Sequence, residues 1–263
     1  DAPDCVEADS PAGKIEFRDV SFAYPDAEEK TLSHISFTAN PGETTAIIGG
    51  TGSGKSSLIS LIPRFYDVTE GEILLDGTDI RRISQKSLRQ AIGYVPQKGM
   101  LFSGTIASNL RYAKEDASSA EMREAAEIAQ AMDFIREKPE GFEEPVAQGG
   151  TTVSGGQKQR LSIARALLKN PKIYLFDDSF SALDFKTDAA LRKALKEKVG
   201  NSTFIIVAQR INTIMDADKI IVLDEGQIAG IGTHSQLLKE CGVYREIASS
   251  QLSEEELGKG GLA

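Results

Sequence analysis

Cysteine and histidine are scarce in this 263-residue chain, with two of each. Cys5 and Cys241 stand at opposite ends, which excludes a disulfide framework and any zinc-type thiolate spacing and fits a reducing compartment. His34 and His234 cannot by themselves build a multi-histidine metal centre, so both read as packed or exposed imidazoles. No apolar run approaches the roughly 18 residues of a membrane-spanning helix. No signal peptide opens the chain. Positive charge is also short: 30 Lys and Arg against 39 Asp and Glu leave a net charge of -9. That balance argues against broad nucleic-acid binding, a local basic patch aside. An initial methionine is missing, and the start at Asp1 predicts a piece of a longer chain. No internal repeat is found.

Against these absences stand 40% apolar and 26% charged residues, the stock of a soluble globular protein. The length predicts one or two domains with a core that needs neither disulfide nor metal. Residues 1–13, rich in Asp, Ala, Pro and Ser, read as a linker entering the domain. Strands are predicted at Lys14–Val20, Ser21–Tyr24, Thr44–Ile48, Glu72–Leu75, Ile92–Val95, Ile173–Phe176, Thr203–Val207 and Lys219–Leu223. Lys55–Phe65 is helical in pattern, and Ala117–Met132 has the composition of an exposed amphipathic helix. Ser154 caps a helix running through Leu168, which Asn170-Pro171 ends. Strands alternating with helices predict an α/β core with a largely parallel sheet, into which a mostly helical segment, about 98–170, is inserted. Residues 251–263 read as a frayed polar tail.

The most specific local signal is Gly49-Gly50-Thr51-Gly52-Ser53-Gly54-Lys55-Ser56, which matches G-x-x-x-x-G-K-[ST] after a buried strand and before a helix. A loop that wraps phosphates must bring backbone N–H groups very close to their oxygens, and glycine permits both the approach and the positive φ it requires. The following helix aims its N-terminal dipole at the anion. Lys55 would supply a point charge to the β- and γ-phosphates, and Ser56 a hydroxyl to Mg²⁺. The alternative, a glycine-rich turn with an incidental lysine, does not account for the strand and helix on either side. Alone, the loop fits kinases, GTPases, helicases and transport ATPases alike.

Two further signals narrow that choice. Ile173–Asp177 is an apolar strand ending in an acid, where proteins with such loops place a second Mg²⁺-associated carboxylate. Upstream, Ser154-Gly155-Gly156-Gln157 opens a second helix, followed by Lys158-Gln159-Arg160. For the Ser-Gly pair alone a plain helix cap is the better reading; the full string is far more specific.

With these motifs the chain resembles the nucleotide-binding domain of ATP-binding cassette (ABC) transporters, from about residue 14 to 248 and in the family's motif order. Tyr24 matches the aromatic that stacks on adenine. Gly49–Ser57 matches Walker A, Gln97 the Q-loop, Ser154–Gln157 the signature, Asp177 the Walker B acid and Ser181–Asp184 the D-loop. The resemblance implies a P-loop (RecA-like) α/β core with an antiparallel β subdomain and an inserted helical subdomain, spanning 14–250. It implies ATP and Mg²⁺ as ligands, with Ser56, Gln97 and Asp177 near the metal, Asp177 through water. In that family two domains pair head to tail, so that each ATP lies between one chain's Walker A and the other's signature. Leu101–Ile106, Gly226-Gln227-Ile228 and Gly232-Thr233-His234 are similar to stretches of multidrug-type exporters. A transmembrane domain with coupling helices, at the cytoplasmic face of the membrane, is the implied partner.

Three departures stand out. The general base is usually Glu, and here it is Asp178; an Asp is one methylene shorter. The switch position, usually His, is Gln209, which cannot carry an imidazolium charge. Gln148-Gly149-Gly150 replaces the usual Glu-Arg-Gly before the signature. Together these resemble the degenerate-site subunit of a heterodimeric exporter, which hydrolyses poorly at its own site and completes the partner's. The unusual Ser179-Phe180 favours native divergence over a substitution made to trap ATP. Two alternatives stay open: a fully active homodimeric ABC ATPase, and a soluble ABC ATPase acting on DNA or ribosomes. Against the latter, the chain lacks coiled-coil heptads, a basic arm and a second cassette.

Overall fold

The computed structural model describes residues 1, 4–150 and 152–253. β1 (Ile15–Phe22) and β2 (Leu32–Ala39) pair antiparallel. β3 (Thr44–Gly49) leads through the glycine loop into α1 (Lys55–Leu61). β4 (Glu70–Leu75) returns to β1 and turns through Asp76-Gly77 into the two-residue β5 (Thr78–Asp79). α2 (Gln85–Gln90) and β6 (Ile92–Val95) follow. A short ribbon of β7 (Gly104–Thr105) and β8 (Pro145–Val146) brackets α3 (Ile106–Arg111), α4 (Ser119–Ile128) and α5 (Met132–Arg136). Next come α6 (Gly155–Leu168), β9 (Ile173–Asp177), α7 (Phe185–Val199), β10 (Thr203–Val207) and the one-turn α8 (Ile211–Ile214). The hairpin β11 (Lys219–Asp224)–β12 (Gln227–Gly232) precedes α9 (His234–Glu240) and α10 (Gly242–Gln251).

A six-stranded sheet in the order β12-β11-β3-β10-β9-β6 forms the core, parallel throughout except for edge strand β12. Its central strands are buried on both faces, which is why they read as continuous apolar runs. One face carries Ile47, Leu175, Ile205 and Ile221 toward α1 and the four-stranded sheet β2-β1-β4-β5. The other carries Ile48, Phe176, Ile206 and Val222 toward the helical segment and α7. Burying each such side chain stabilises by about 1.5–3 kcal/mol.

The structure departs from the expected elements at several points. Lys14–Val20 and Ser21–Tyr24 merge into one strand, bent where the register with β2 shifts and Asp19 takes φ 48°. The helix expected over Ala117–Met132 breaks after α4, where Gln130 takes φ 58°. α1 stops at Leu61, just before Pro63. β2 and β12 are additional to the expected strands: β12 alternates half-buried and exposed residues and carries two glycines, a weak strand signal. The segment read as a linker lies against the domain. Val6 bridges Ile83, and Asp76 accepts hydrogen bonds from the amides of Ala12, Gly13 and Lys14. At the other end, Gln251 closes α10 and Leu252 is buried; residues 254–263 of the expected tail lie outside the described residues.

Candidate nucleotide site

The parallel strands all end on one edge of the sheet, and the candidate residues collect there. Gly49 ends β3 and Gly50–Ser57 follow it, Gln97 follows β6, Asp177 ends β9 with Asp178 next in the chain, and Gln209 follows β10. Ligand crevices of open α/β sheets lie at this carboxyl edge.

Gly49 is demanded by contact: a Cβ there would lie 2.1 Å from the Leu223 carbonyl oxygen of the neighbouring strand. Gly54 takes φ 97° to start α1, with a Cβ only 2.7 Å from Leu32. Thr51 and Gly52 form the exposed rim of the loop. Lys55 is buried beneath it, and its ammonium donates to the carbonyls of Gly49 (2.9 Å) and Gly50 (2.6 Å) and to Ser53 Oγ (3.3 Å). All these acceptors are neutral, and among the described residues no carboxylate lies within ion-pair distance of Lys55. Burial pulls its pKa below the ordinary lysine value, opposed by the charges of Asp178 and Asp177. A buried cation with neutral partners at a glycine loop fits a phosphate.

Ser56 Oγ donates to Asp177 Oδ1 at 3.0 Å, and Tyr94 OH donates to Oδ2 at 3.3 Å. Burial pushes the Asp177 carboxyl above its ordinary range, against the opposing hydrogen bonds from Ser56 and Tyr94. Among the described residues no cluster of three or more His, Cys, Asp or Glu forms a cation cage. A hydroxyl beside one carboxylate instead fits Mg²⁺, which keeps waters and takes substrate phosphates for its other ligands.

Asp178 is the hub of the far side. It is buried, takes φ 47°, and its Oδ2 accepts two amide bonds, from Gln97 Nε2 (2.9 Å) and Gln209 Nε2 (2.8 Å). Gln97, expected beside the metal, thus turns its nitrogen to Asp178; only its amide oxygen could ligate a cation. The same loop is fastened twice more, by Ser179 Oγ on the Val95 carbonyl (2.8 Å) and by Gln159 Nε2 on the Pro96 carbonyl (2.9 Å).

Tyr24 is partly exposed. Its hydroxyl lies 2.8 Å from Ser57 Oγ, and its ring meets Phe22 and Tyr66 edge-on. Tyr66, exposed beside it, escapes a reading of the sequence, as does Tyr94; no spacing rule links either to the loop.

Ser154 opens α6 and shares reciprocal bonds with Gln157: its Oγ accepts from the Gln157 amide and its own amide donates to Oε1. A Cβ on Gly155 would meet nothing within 4 Å, and one on Gly156 only the Ala182 carbonyl at 3.2 Å. Ser154 and Gly155 are exposed and Gly156 and Gln157 half-buried, and among the described residues no hydrogen bond joins 154–157 to 49–57, so this helix start is open to solvent. Asp184 caps α7 through the amide and hydroxyl of Thr187, which hold its carboxyl below the ordinary range. Gly149 and Gly150 both take positive φ, so the third sequence departure sits in a tight turn.

With this geometry established, the sequence pattern of the family described as ABC transporter matches residues 32–181. The chain belongs to the ABC transporter family. It is a nucleotide-binding domain of that family. It is 45% identical over 95% of its length to a putative multidrug export ATP-binding/permease protein of Bacillus subtilis (strain 168), of which it covers 43%. It is 44% identical over 93% of its length to an ATP-dependent lipid A-core flippase of Chromobacterium violaceum, of which it covers 42%. A solved bacterial Atm1-family ABC exporter with ATP bound superposes with TM-score 0.92 at 41% identity, covering 96% of this chain and 44% of that one. The ABC domain thus spans less than half the length of these relatives. The P-loop α/β core, the antiparallel sheet and the helical insertion are the expected architecture.

Proposed function

We propose that this domain is the ATP-binding part of one half of a heterodimeric ABC exporter, binding Mg·ATP at a slowly hydrolysing site and completing its partner's active site. The observation that carries this reading is the double amide clamp on Asp178. A general base must reach the attacking water. Asp178 is a methylene short, and its Oδ2 already accepts from Gln97 and Gln209. A displacement of about 1 Å costs on the order of 10²-fold in rate.

The remaining parts support binding. In this reading Lys55 holds the β- and γ-phosphates, Ser56 and Asp177 would hold Mg²⁺, and Tyr24 stacks on adenine. The metal, when bound, neutralises charge on the phosphates. The outward-facing Ser154–Gln157 start of α6 is the surface offered to the partner's ATP, with Asp184 beside that interface. A cleft of about 290 Å³ lined by Phe65, Arg89, Tyr94, Met100 and Arg165 supports docking of a transmembrane coupling helix, at the cytoplasmic face of a membrane.

The test is steady-state phosphate release from the assembled transporter. Asp178→Ala is expected to change it less than twofold, and Gly155→Asp to reduce it at least tenfold by placing a carboxylate where the partner's γ-phosphate docks. Equal damage from both would establish that this chain hydrolyses its own ATP, as a fully active homodimer would.

A further inference from the structure

We propose that Gln251, the last residue of α10, is a positioning residue that sets the switch segment 209–211 against the nucleotide site. Its side-chain amide makes two bonds to one stretch of backbone: Nε2 donates to the Gln209 carbonyl at 2.8 Å, and Oε1 accepts from the Ile211 amide at 2.9 Å. Both groups need a partner. β10 ends at Val207, and Ile211 is the first residue of α8, whose preceding Arg210 offers no side-chain cap. The free N–H groups at a helix start are ordinarily satisfied by the N-cap side chain, which reaches the second or third residue, or by water. Here the cap comes from 40 residues downstream.

The segment so held is tied to the site by its own side chains. Gln209 reaches Asp178, and Arg210 donates to the carbonyls of Ser181 (3.0 Å) and Leu183 (3.2 Å), just before Asp184. The other end of the linkage is packed into the domain. α10 buries Tyr244 and Ala248 completely, the Tyr244 hydroxyl lies 2.7 Å from His234 Nδ1 of α9, and Leu252 is buried beside Gln251. A shift of α9 and α10 against the sheet is therefore passed through Gln251 to Gln209 and on to Asp178. The inference rests on the reading that ATP occupies this site.

Two measurements on the full 263-residue chain test it. Amide exchange followed by NMR reads the contact directly. Gln251→Ala should speed exchange of the Ile211 amide at least tenfold and leave the β10 amides of Ile205 and Val207 as in wild type. Gln251→Glu keeps the acceptor for Ile211 but loses the donor to Gln209, so Ile211 should stay protected. The second readout is the ratio of Mg·ATP to Mg·ADP affinity. Both variants should lower it threefold or more with ADP affinity unchanged, because under the proposed function the Gln209–Asp178 pair faces the γ-phosphate, which ADP lacks. Exchange at Ile211 within twofold of wild type in Gln251→Ala, or an unchanged affinity ratio in both variants, overturns the inference. A wild-type chain that fails to bind Mg·ATP overturns the functional reading instead.

Discussion

The hydroxyl of Ser56 donates to the carboxylate of Asp177 at 3.0 Å, across 121 residues of sequence. The bond joins the start of α1 to the end of β9 and brings a hydroxyl and an acid together beside the buried Lys55 ammonium. Lys55→Ala should weaken Mg·ATP binding at least tenfold, whereas Ser56→Ala should weaken it mainly when Mg²⁺ is present. Titration with a fluorescent ATP analogue, with and without EDTA, separates the two effects. Unaltered binding by Lys55→Ala would remove the loop from the site.

Asp177 carries a pH signature. Its folded carboxyl holds a proton to higher pH than in the unfolded chain, because burial disfavours the anion. Between those two pKa values the native state binds more protons, so stability falls as pH rises through the window just above the ordinary carboxylate range, then levels off. Asp177→Asn should flatten that slope and raise the metal-free Tm at neutral pH, by about 2–4 °C for each kcal/mol recovered in a domain of this size. The same variant should bind Mg·ATP more weakly. Melting curves from pH 4 to 8 in EDTA check the first effect; a Tm lowered at neutral pH would contradict it.

Tyr24 offers a partly exposed ring held by Ser57 and Tyr66. Tyr24→Ala should cost ATP affinity about 1–3 kcal/mol, the value of one aromatic–base stack. Tyr24→Phe keeps the ring and loses only the bond to Ser57, so it should retain most of the affinity. Equilibrium binding of ATP against a nucleotide lacking the base measures the difference. Equal losses for both nucleotides would place Tyr24 outside the adenine site.

Gly49 and Gly50 are neighbours with opposite tolerances. A methyl on Gly49 would lie 2.1 Å from the Leu223 carbonyl, whereas one on Gly50 meets nothing within 4 Å. Gly49→Ala should therefore destabilise the fold by more than about 3 kcal/mol, through forced separation of β3 and β11. Gly50→Ala should melt within a degree or two of wild type. Urea denaturation of the two variants decides it; equal midpoints would mean the loop yields more readily than its contact with β11 implies.

Local pattern was enough for much of this protein. The glycine loop between strand and helix, the acid ending Ile173–Asp177 and the Ser154 cap are signals carried by adjacent residues, because backbone conformation, capping and strand burial are decided within a few positions. The α/β class followed from the alternation of those elements. What adjacent residues could not disclose is which side chains meet once the strands stand side by side. Gln97 and Gln209 share one oxygen of Asp178, Tyr94 reaches Asp177, and Gln251 caps a helix 40 residues upstream. The strand order β12-β11-β3-β10-β9-β6 is not sequential, so these neighbours come from distant parts of the chain. β12 and the break after α4 escaped for a related reason: an edge strand with two glycines and a helix ended by a left-handed Gln130 are set by packing, which overrides weak local preference.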